Sequence, residues 1–258
     1  MLKNALKAAA AEGRTAFGMY VTQPAPSIVE VAAQAGLDFV RIDTYHGTMG
    51  AETVDSLIRA AYAAGITPTA RVQNDPVAIL SVLEQGCMGI TVPDVEDAQT
   101  ARGIVQASRY PPKGIREISK PQRMMAVSAG DYFRWADEEL IVSAQIESKR
   151  GLDNIEEILA VDGLDMVQSG RNDLSLSLGV PGQPNHPLVI AAEDRIIDAA
   201  LTAGKMVSIS FQPAPDALQR LGNLAKRGVQ CITIGFDSQV LFQAMRDRVA
   251  GIVAAINS

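Results

Sequence analysis

Short, nearly uncharged runs rich in Val, Ile, Thr and Phe recur along the chain, most followed by a longer stretch with apolar residues at helical spacing. Eight such runs predict strands at 16–21, 39–43, 67–72, 89–93, 141–147, 165–169, 206–211 and 231–236. The stretches between and after them, 27–36, 51–65, 75–86, 95–108, 151–161, 187–204, 214–228 and 237–257, are rich in Ala, Leu, Ile, Glu, Gln and Arg and predict helices. Glycine closes many of those helices, at Gly36, Gly65, Gly86, Gly204 and Gly228, where a left-handed cap residue belongs. Residues 1–14, with Lys3, Lys7 and Glu12 breaking up the apolar stretches, read as one more short amphipathic helix.

Strand starts recur every 22–28 residues, apart from intervals of 52 and 41, and βα units of that length imply parallel strands joined by right-handed crossovers. Eight units in 258 residues, with no Gly-x-Gly-x-x-Gly turn after the first strand, fit one closed (β/α)8 TIM barrel better than an open doubly wound sheet. No linker divides the chain, so residues 1–258 read as one domain. The interval of 52 holds an insertion at about 109–138 after strand four, with Pro111, Pro112 and Pro121 and a short helix near 131–135; a lid or a subunit contact is expected there.

Composition narrows the function classes. Hydrophobic residues make up 47% and charged residues 20%, the balance of a chain with a sizeable core, and the net charge of −6 carries no footprint for nucleic acid or an anionic membrane. No apolar run approaches the roughly 20 residues of a spanning helix. The N-terminus lacks the unbroken apolar region of a secretory signal. Two cysteines, Cys87 and Cys231, read as buried reduced thiols; together these features point to the cytoplasm.

In a barrel of this kind chemistry gathers at the C-terminal strand ends. Strand two ends in Asp43 with His46 three residues on, strand three holds Arg71, strand five ends in Glu147, and strand six runs into Gly170-Arg171-Asn172-Asp173. An acidic residue closing an uncharged buried strand is costly unless a cation answers it. Glu147 and Asp173, from adjacent strands, suit a hard divalent ion such as Mg2+ or Mn2+. The competing reading has Asp173 cap a short helix at 174–178 while Glu147 pairs with Lys149 or Arg171. His46 is placed for proton transfer, against the alternative of a solvated loop histidine. Arg71 matches a carboxylate or enolate oxygen, or else pairs with Asp43 or Asp75. The backbone N–H groups opening the helix after Gly170 suit a substrate carboxylate. His186 sits in a turn-rich loop and reads as structural. A Schiff base is disfavoured, because Lys205 enters strand seven at the wrong end and Lys149 lies beyond Glu147 in solvent. A nucleophilic cysteine is disfavoured too, neither Cys87 nor Cys231 having a histidine nearby in sequence.

Five segments, Arg41-Ile-Asp-Thr-Tyr-His46, Ala70-Arg-Val-Gln-Asn-Asp75, Arg109-Tyr-Pro-Pro-Lys-Gly-Ile-Arg116, Gln145-Ile-Glu147 and Gly170-Arg-Asn-Asp-Leu-Ser175, resemble the HpcH/HpaI family of metal-dependent, pyruvate-forming aldolases, over nearly the whole chain. The resemblance implies a class II aldolase that cleaves a 4-hydroxy-2-oxo acid to pyruvate, or a close analogue, and an aldehyde. It implies Glu147 and Asp173 as ligands of Mg2+ or Mn2+, with Co2+ as a further option, and Gln145 supporting them. It implies Arg71 at the ketone oxygen, His46 working with Asp43 and Glu84, and Gly170, Asn172 and Asp173 at the substrate carboxylate. It also implies a homohexamer with the last helix exchanged between neighbours. Another metal-enolate lyase or decarboxylase of the same superfamily, or a non-catalytic relative that binds a 2-oxo acid, is the alternative. The chain departs from the family pattern at Tyr45, Glu84, Arg171, Glu117 and Ser210, the last standing where an apolar residue often meets the pyruvate methyl. Tyr45, Arg171 and Ser210 suggest a more polar or larger ligand.

Overall fold

The computed structural model describes residues 1–117 and 119–257. Eight parallel strands close into a barrel in strict chain order, β1 (Ala16–Val21), β2 (Phe39–Asp43), β3 (Thr67–Arg71), β4 (Gly89–Val92), β5 (Ile141–Ile146), β6 (Met166–Ser169), β7 (Met206–Ser210) and β8 (Cys231–Phe236), with β8 returning to β1. The expected strands are all present; five are shorter by a residue at an end that meets a loop. Twelve helices accompany them among the described residues: α1 (Ala5–Ala11), α2 (Pro26–Gln34), α3 (Ala51–Ala64), α4 (Pro76–Glu84), α5 (Ala98–Ser108), α6 (Ala129–Glu139), α7 (Lys149–Asp153), α8 (Ile155–Leu159), α9 (Arg171–Ser177), α10 (Pro187–Thr202), α11 (Ala217–Lys226) and α12 (Asp237–Ile256). The single helix expected at 151–161 is two, broken at Asn154, whose side chain donates to the Glu96 carbonyl instead of facing solvent. The five glycines expected as caps all adopt positive φ.

The main core fills the space between strands and helices, where Val40, Ile42, Val92, Val142, Ala144 and Val167 meet Leu57, Ile104, Ile158 and Ile196. Inside the barrel the side chains are polar: Arg41, Thr69, Thr91, Ser143, Gln168, Ser208 and Thr233 are all buried. A second apolar cluster closes the foot, where Leu6 and Ala9 of α1 pack on Ala16, Phe39, Ile141, Met166 and Cys231. Asn4 pins that plug, its amide donating to the Met88 and Glu139 carbonyls. Cys87 and Cys231 are both buried and unbridged. Among the described residues no helix is long and apolar enough to cross a membrane.

The insertion does not form a lid on its own barrel. It begins after α5, as its expected bounds placed it, and α5 has by then returned the chain to the foot. There Arg109 donates to Asp165 at 2.6 Å and to the Asp137 carbonyl at 2.9 Å, Arg123 donates to the Gln85 carbonyl, and the Trp135 indole donates to the Leu2 carbonyl. The helix expected at 131–135 is longer, α6, and packs its Tyr132 and Ala136 with Met124 in a small cluster of its own.

Arg109→Met removes a buried cation that ties the insertion to the start of β6. The expected result is a loss of about 2–4 kcal/mol in urea unfolding, because Asp165 is left without its cation.

Candidate active site

Glu147 stands one residue beyond β5 and is buried. Its Oε1 accepts from the Asp94 backbone N–H at 2.9 Å and its Oε2 from the Gln145 amide at 2.5 Å. Burial pushes its carboxyl up to about 8, with the Asp94 and Asp173 charges adding to the rise and the Asp94 N–H and Arg71 opposing it. Neither of the cations proposed as its structural partners pairs with it. Lys149 pairs with Asp153, and Arg171 donates to the Pro184 carbonyl and the Asn185 side chain. Among the described residues Glu147 has no ion pair.

Asp173 lies in the first turn of α9, one strand over, and is exposed. The N-cap of that helix is Gly170, with no side-chain cap bond, so Asp173 is not spent on capping. Gly170 passes against Glu147 so closely that a Cβ there would lie 2.5 Å from Oε2 and 2.8 Å from the Gln145 Nε2. Only glycine lets the backbone approach the carboxylate in this way.

Arg71, at the end of β3, grips Asp43 at the end of β2 through two bonds, Nε to Oδ1 at 3.0 Å and Nη2 to Oδ2 at 2.5 Å. Both residues are buried, and the guanidinium lies 4.9 Å from the centre of the Tyr20 ring, 5.7 Å from that of Phe236 and 5.9 Å from that of Tyr45. Asp43 also accepts from the backbone N–H groups of Tyr45 and His46 at 3.2 and 3.3 Å, and so holds the loop that carries His46 without touching its ring. The His46 imidazole is exposed, stands edge-on to Tyr45 with ring centres 4.6 Å apart, and has no hydrogen-bond partner among the described residues. Glu84 is not near it. It ends α4 at the foot of the barrel, beside Tyr110 of the insertion, whereas His46 follows the opposite end of β2.

A cavity of about 940 Å³ opens at the mouth, beneath α12. Of the residues expected in the site, Arg71, Gln145, Gly170, Asn172, Asp173 and Ser210 line it, and His46, Asp43, Glu84 and Glu147 do not. Ser210 accepts from the Thr233 hydroxyl at 2.8 Å. Arg171 also lines the cavity, held in place by the Pro184 carbonyl and the Asn185 side chain and 3.7 Å from Glu193. Tyr20, Gln168 and Phe236 line the cavity without having drawn notice in the sequence. Asp94 was also passed over. It is a non-glycine residue at φ 54°, just after β4, and that turn aims its N–H at Glu147 and its carboxylate at the Tyr45 hydroxyl, which donates at 2.9 Å. The tolerance of Asp for the left-handed region, directly after a strand-ending proline, was the available signal.

No group of three or more His, Cys, Asp and Glu side chains forms a metal cage among the described residues. The donor set nevertheless fits a hard divalent ion. Two carboxylate side chains from adjacent strands influence each other, one is buried without a cation, and each Glu147 oxygen keeps a lone pair after its one hydrogen bond. Water and ligand oxygens would complete the shell.

The folded carboxyl of Glu147 titrates near 8 against 4.5 for a free one, so the metal-free folded protein holds a proton there that the unfolded chain releases. Its contribution to stability is therefore present below pH 4.5 and lost as pH rises toward about 8. Thermal melts in EDTA should show Glu147→Gln gaining on the wild type across that window. Mg2+ affinity of the wild type should rise roughly tenfold per pH unit up to about 8, as isothermal titration will read.

A model of the HpcH/HpaI aldolase/citrate lyase family matches residues 16–244. The chain is 34% identical over 249 residues to a protein of Salmonella arizonae named 4-hydroxy-2-oxo-heptane-1,7-dioate aldolase, covering 93% of this chain and 91% of that one. It is 34% identical over 252 residues to its namesake from Shigella sonnei, covering 94% and 92%. The crystal structure of citrate synthase SbnG matches with a TM-score of 0.88 at 33% identity, covering 98% of this chain and 99% of that chain. A family member from Burkholderia cenocepacia J2315 matches with a TM-score of 0.86 at 30% identity, covering 96% and 99%. With the eight-stranded barrel and the ordered strand-end residues in place, the chain belongs to the HpcH/HpaI aldolase/citrate lyase family.

Proposed function

We propose that this protein is a class II aldolase that reversibly cleaves a 4-hydroxy-2-oxo acid into pyruvate, or a close analogue, and an aldehyde. The observation that carries this reading is Glu147, a buried carboxylate with no cation of the protein's own, coupled to Asp173 across adjacent strand ends at the mouth that Arg71 lines. Aldolases of the same family, a third identical over nearly the whole chain, support the reaction class.

Glu147 and Asp173 would hold a divalent ion, Mg2+ or Mn2+, which when bound would supply Lewis acidity at the 2-oxo group. Gln145 and the Asp94 N–H orient Glu147 for that purpose. Gly170, Asn172 and Asp173 open α9, whose first N–H groups have no intrahelical partner, and there the substrate carboxylate is received. Arg71, held by Asp43 and by the aromatic rings around it, places a fixed positive charge where the enolate oxygen develops. His46 takes the proton from the 4-hydroxyl; the C3–C4 electron pair passes to C2–C3 as the enolate, C4 leaves as the aldehyde carbon, and protonation at C3 gives pyruvate. The Asp43 oxygens are engaged by Arg71 and by backbone N–H groups, so Asp43 serves by fixing Arg71 and the His46 loop. Glu84 sits at the foot of its own barrel, so the pairing with His46 that the family resemblance implies requires Glu84 of a neighbouring copy.

A homo-oligomer accommodates that need. Helix α12 is anchored at Asp237, which accepts from the Thr22 and Gln23 N–H groups at 2.9 Å, while Phe242, Met245, Val249, Ile252, Val253 and Ile256 beyond it are 49–76% exposed. An apolar face this long suits another copy of the chain, the hexamer with exchanged last helices being the form proposed. We place the protein in the cytoplasm, in keeping with its two unbridged thiols. The likeness to a citrate synthase favours a second reading, carbon–carbon bond formation on an enolate at the same site.

Pyruvate release from 4-hydroxy-2-oxo acids, followed by coupling to lactate dehydrogenase, should cease in EDTA and return with Mn2+; activity indifferent to EDTA would sink the reading. Arg71→Met should lower kcat by roughly 100- to 1,000-fold in the same assay. Sedimentation should show Phe242→Glu with Val249→Glu shifting the protein to smaller species, since two charges cannot be buried without partners.

A further inference from the structure

Arg41, in the middle of β2, is wholly buried inside the barrel, and among the described residues no carboxylate lies within ion-pairing distance of it. Its Nη1 donates to the Gln168 side-chain oxygen and, at 3.4 Å, to the Tyr20 hydroxyl, while its Nε has no partner. The guanidinium carbon lies 5.3 Å from the centre of the Tyr20 ring and 5.4 Å from that of Phe39. Alternation along β2 places Arg41 on the same inward face as Asp43, one layer below it. Tyr20 and Gln168, its two partners, line the cavity; Gln168 also donates to the Tyr20 hydroxyl. Two guanidinium groups thus flank Tyr20, and they differ in one respect. Arg71 is neutralised by Asp43 through two bonds, and Arg41 is neutralised by nothing.

We propose that Arg41 is a positioning residue whose unbalanced charge holds an anionic 2-oxo acid over the Tyr20–Gln168 floor, and that the chain carries this buried cation for the ligand and not for the fold. The inference rests on the aldolase reading above. When a divalent ion offsets Glu147 and Asp173, and Asp43 offsets Arg71, Arg41 remains without a carboxylate partner, whereas the buried Asp237 is answered by the Thr22, Gln23 and Ser238 N–H groups. Asp94 and Asp247, also at the mouth, are exposed and screened by water. A monoanionic 2-oxo acid, or the negative charge its enolate gains, supplies the counter-charge that no described side chain gives Arg41. Gln168 and Tyr20 transmit the effect by geometry as well, since Arg41 fixes the side-chain amide and hydroxyl on which the ligand rests.

Removing an unpaired buried cation normally stabilises a fold, whereas removing a structural one does not. Arg41→Met, of similar length and apolar, is therefore expected to melt in EDTA at or above the wild-type temperature. Calorimetric titration of oxalate, an enolate mimic, into the Mn2+-loaded protein should show at least about tenfold weaker binding for Arg41→Met, with Arg41→Lys restoring most of the loss because the charge remains. Oxalate binding equal to wild type in Arg41→Met overturns the inference. So does a lower melting temperature, or failure to fold, for Arg41→Met, because the residue is then structural. If the wild type itself takes up no oxalate in Mn2+, it is the aldolase reading that fails, and the inference falls with it.

Discussion

A carboxylate buried at the end of a strand is unstable as an ion unless something positive meets it, and among the described residues no cationic side chain forms an ion pair with Glu147. Three features hold it there regardless: the Asp94 N–H on one oxygen, the Gln145 amide on the other, and a glycine at position 170 that leaves no room for a Cβ. Each has a local cost. Asp94 is held in a left-handed turn, Gln145 keeps an unpartnered oxygen, and Gly170 adds backbone freedom to the unfolded chain. Together they hold Glu147 in place without an internal ion pair among the described residues, as the proposed cation site requires.

Charge is arranged differently one strand away. Arg71 and Asp43 satisfy each other, so that pair is a rigid fixture whose position is set before any ligand arrives. The same aspartate holds the His46 loop through backbone N–H groups, which couples the place of the histidine to that of the arginine. His46 itself remains exposed, with its ring free of hydrogen bonds, and Glu84 is at the far end of the barrel. Within one chain His46 and Glu84 are apart, and the apolar residues along α12 are exposed among the described residues. The homo-oligomer proposed above would answer both at once.

Most of the fold was legible in the chain because a parallel barrel repeats one local pattern eight times. Strands covered on both faces read as apolar runs, and glycines with positive φ punctuate the helix ends. The helix broken at Asn154 was missed because its break comes from a side-chain bond to Glu96, distant in sequence. Of the two roles expected for the insertion, a lid and a subunit contact, the lid does not fit its own barrel, because Arg109 and Trp135 fasten the insertion to Asp165 and Leu2 at the foot.

For the site, sequence alone determined which ionisable residues stand at the strand ends, since strand termini follow from local patterning: Asp43, His46, Arg71, Glu147 and Asp173 were all named from it. Tertiary structure decided their partners. That Arg71 takes Asp43 and leaves Asp75, that Arg171 is held by Asn185, and that Tyr45 reaches Asp94 are matters of distance between residues far apart in the chain. It also decided that Arg41 has no counter-ion. An arginine within an apolar strand can be read from one segment, but whether a carboxylate faces it is known only once all eight strands have closed around it.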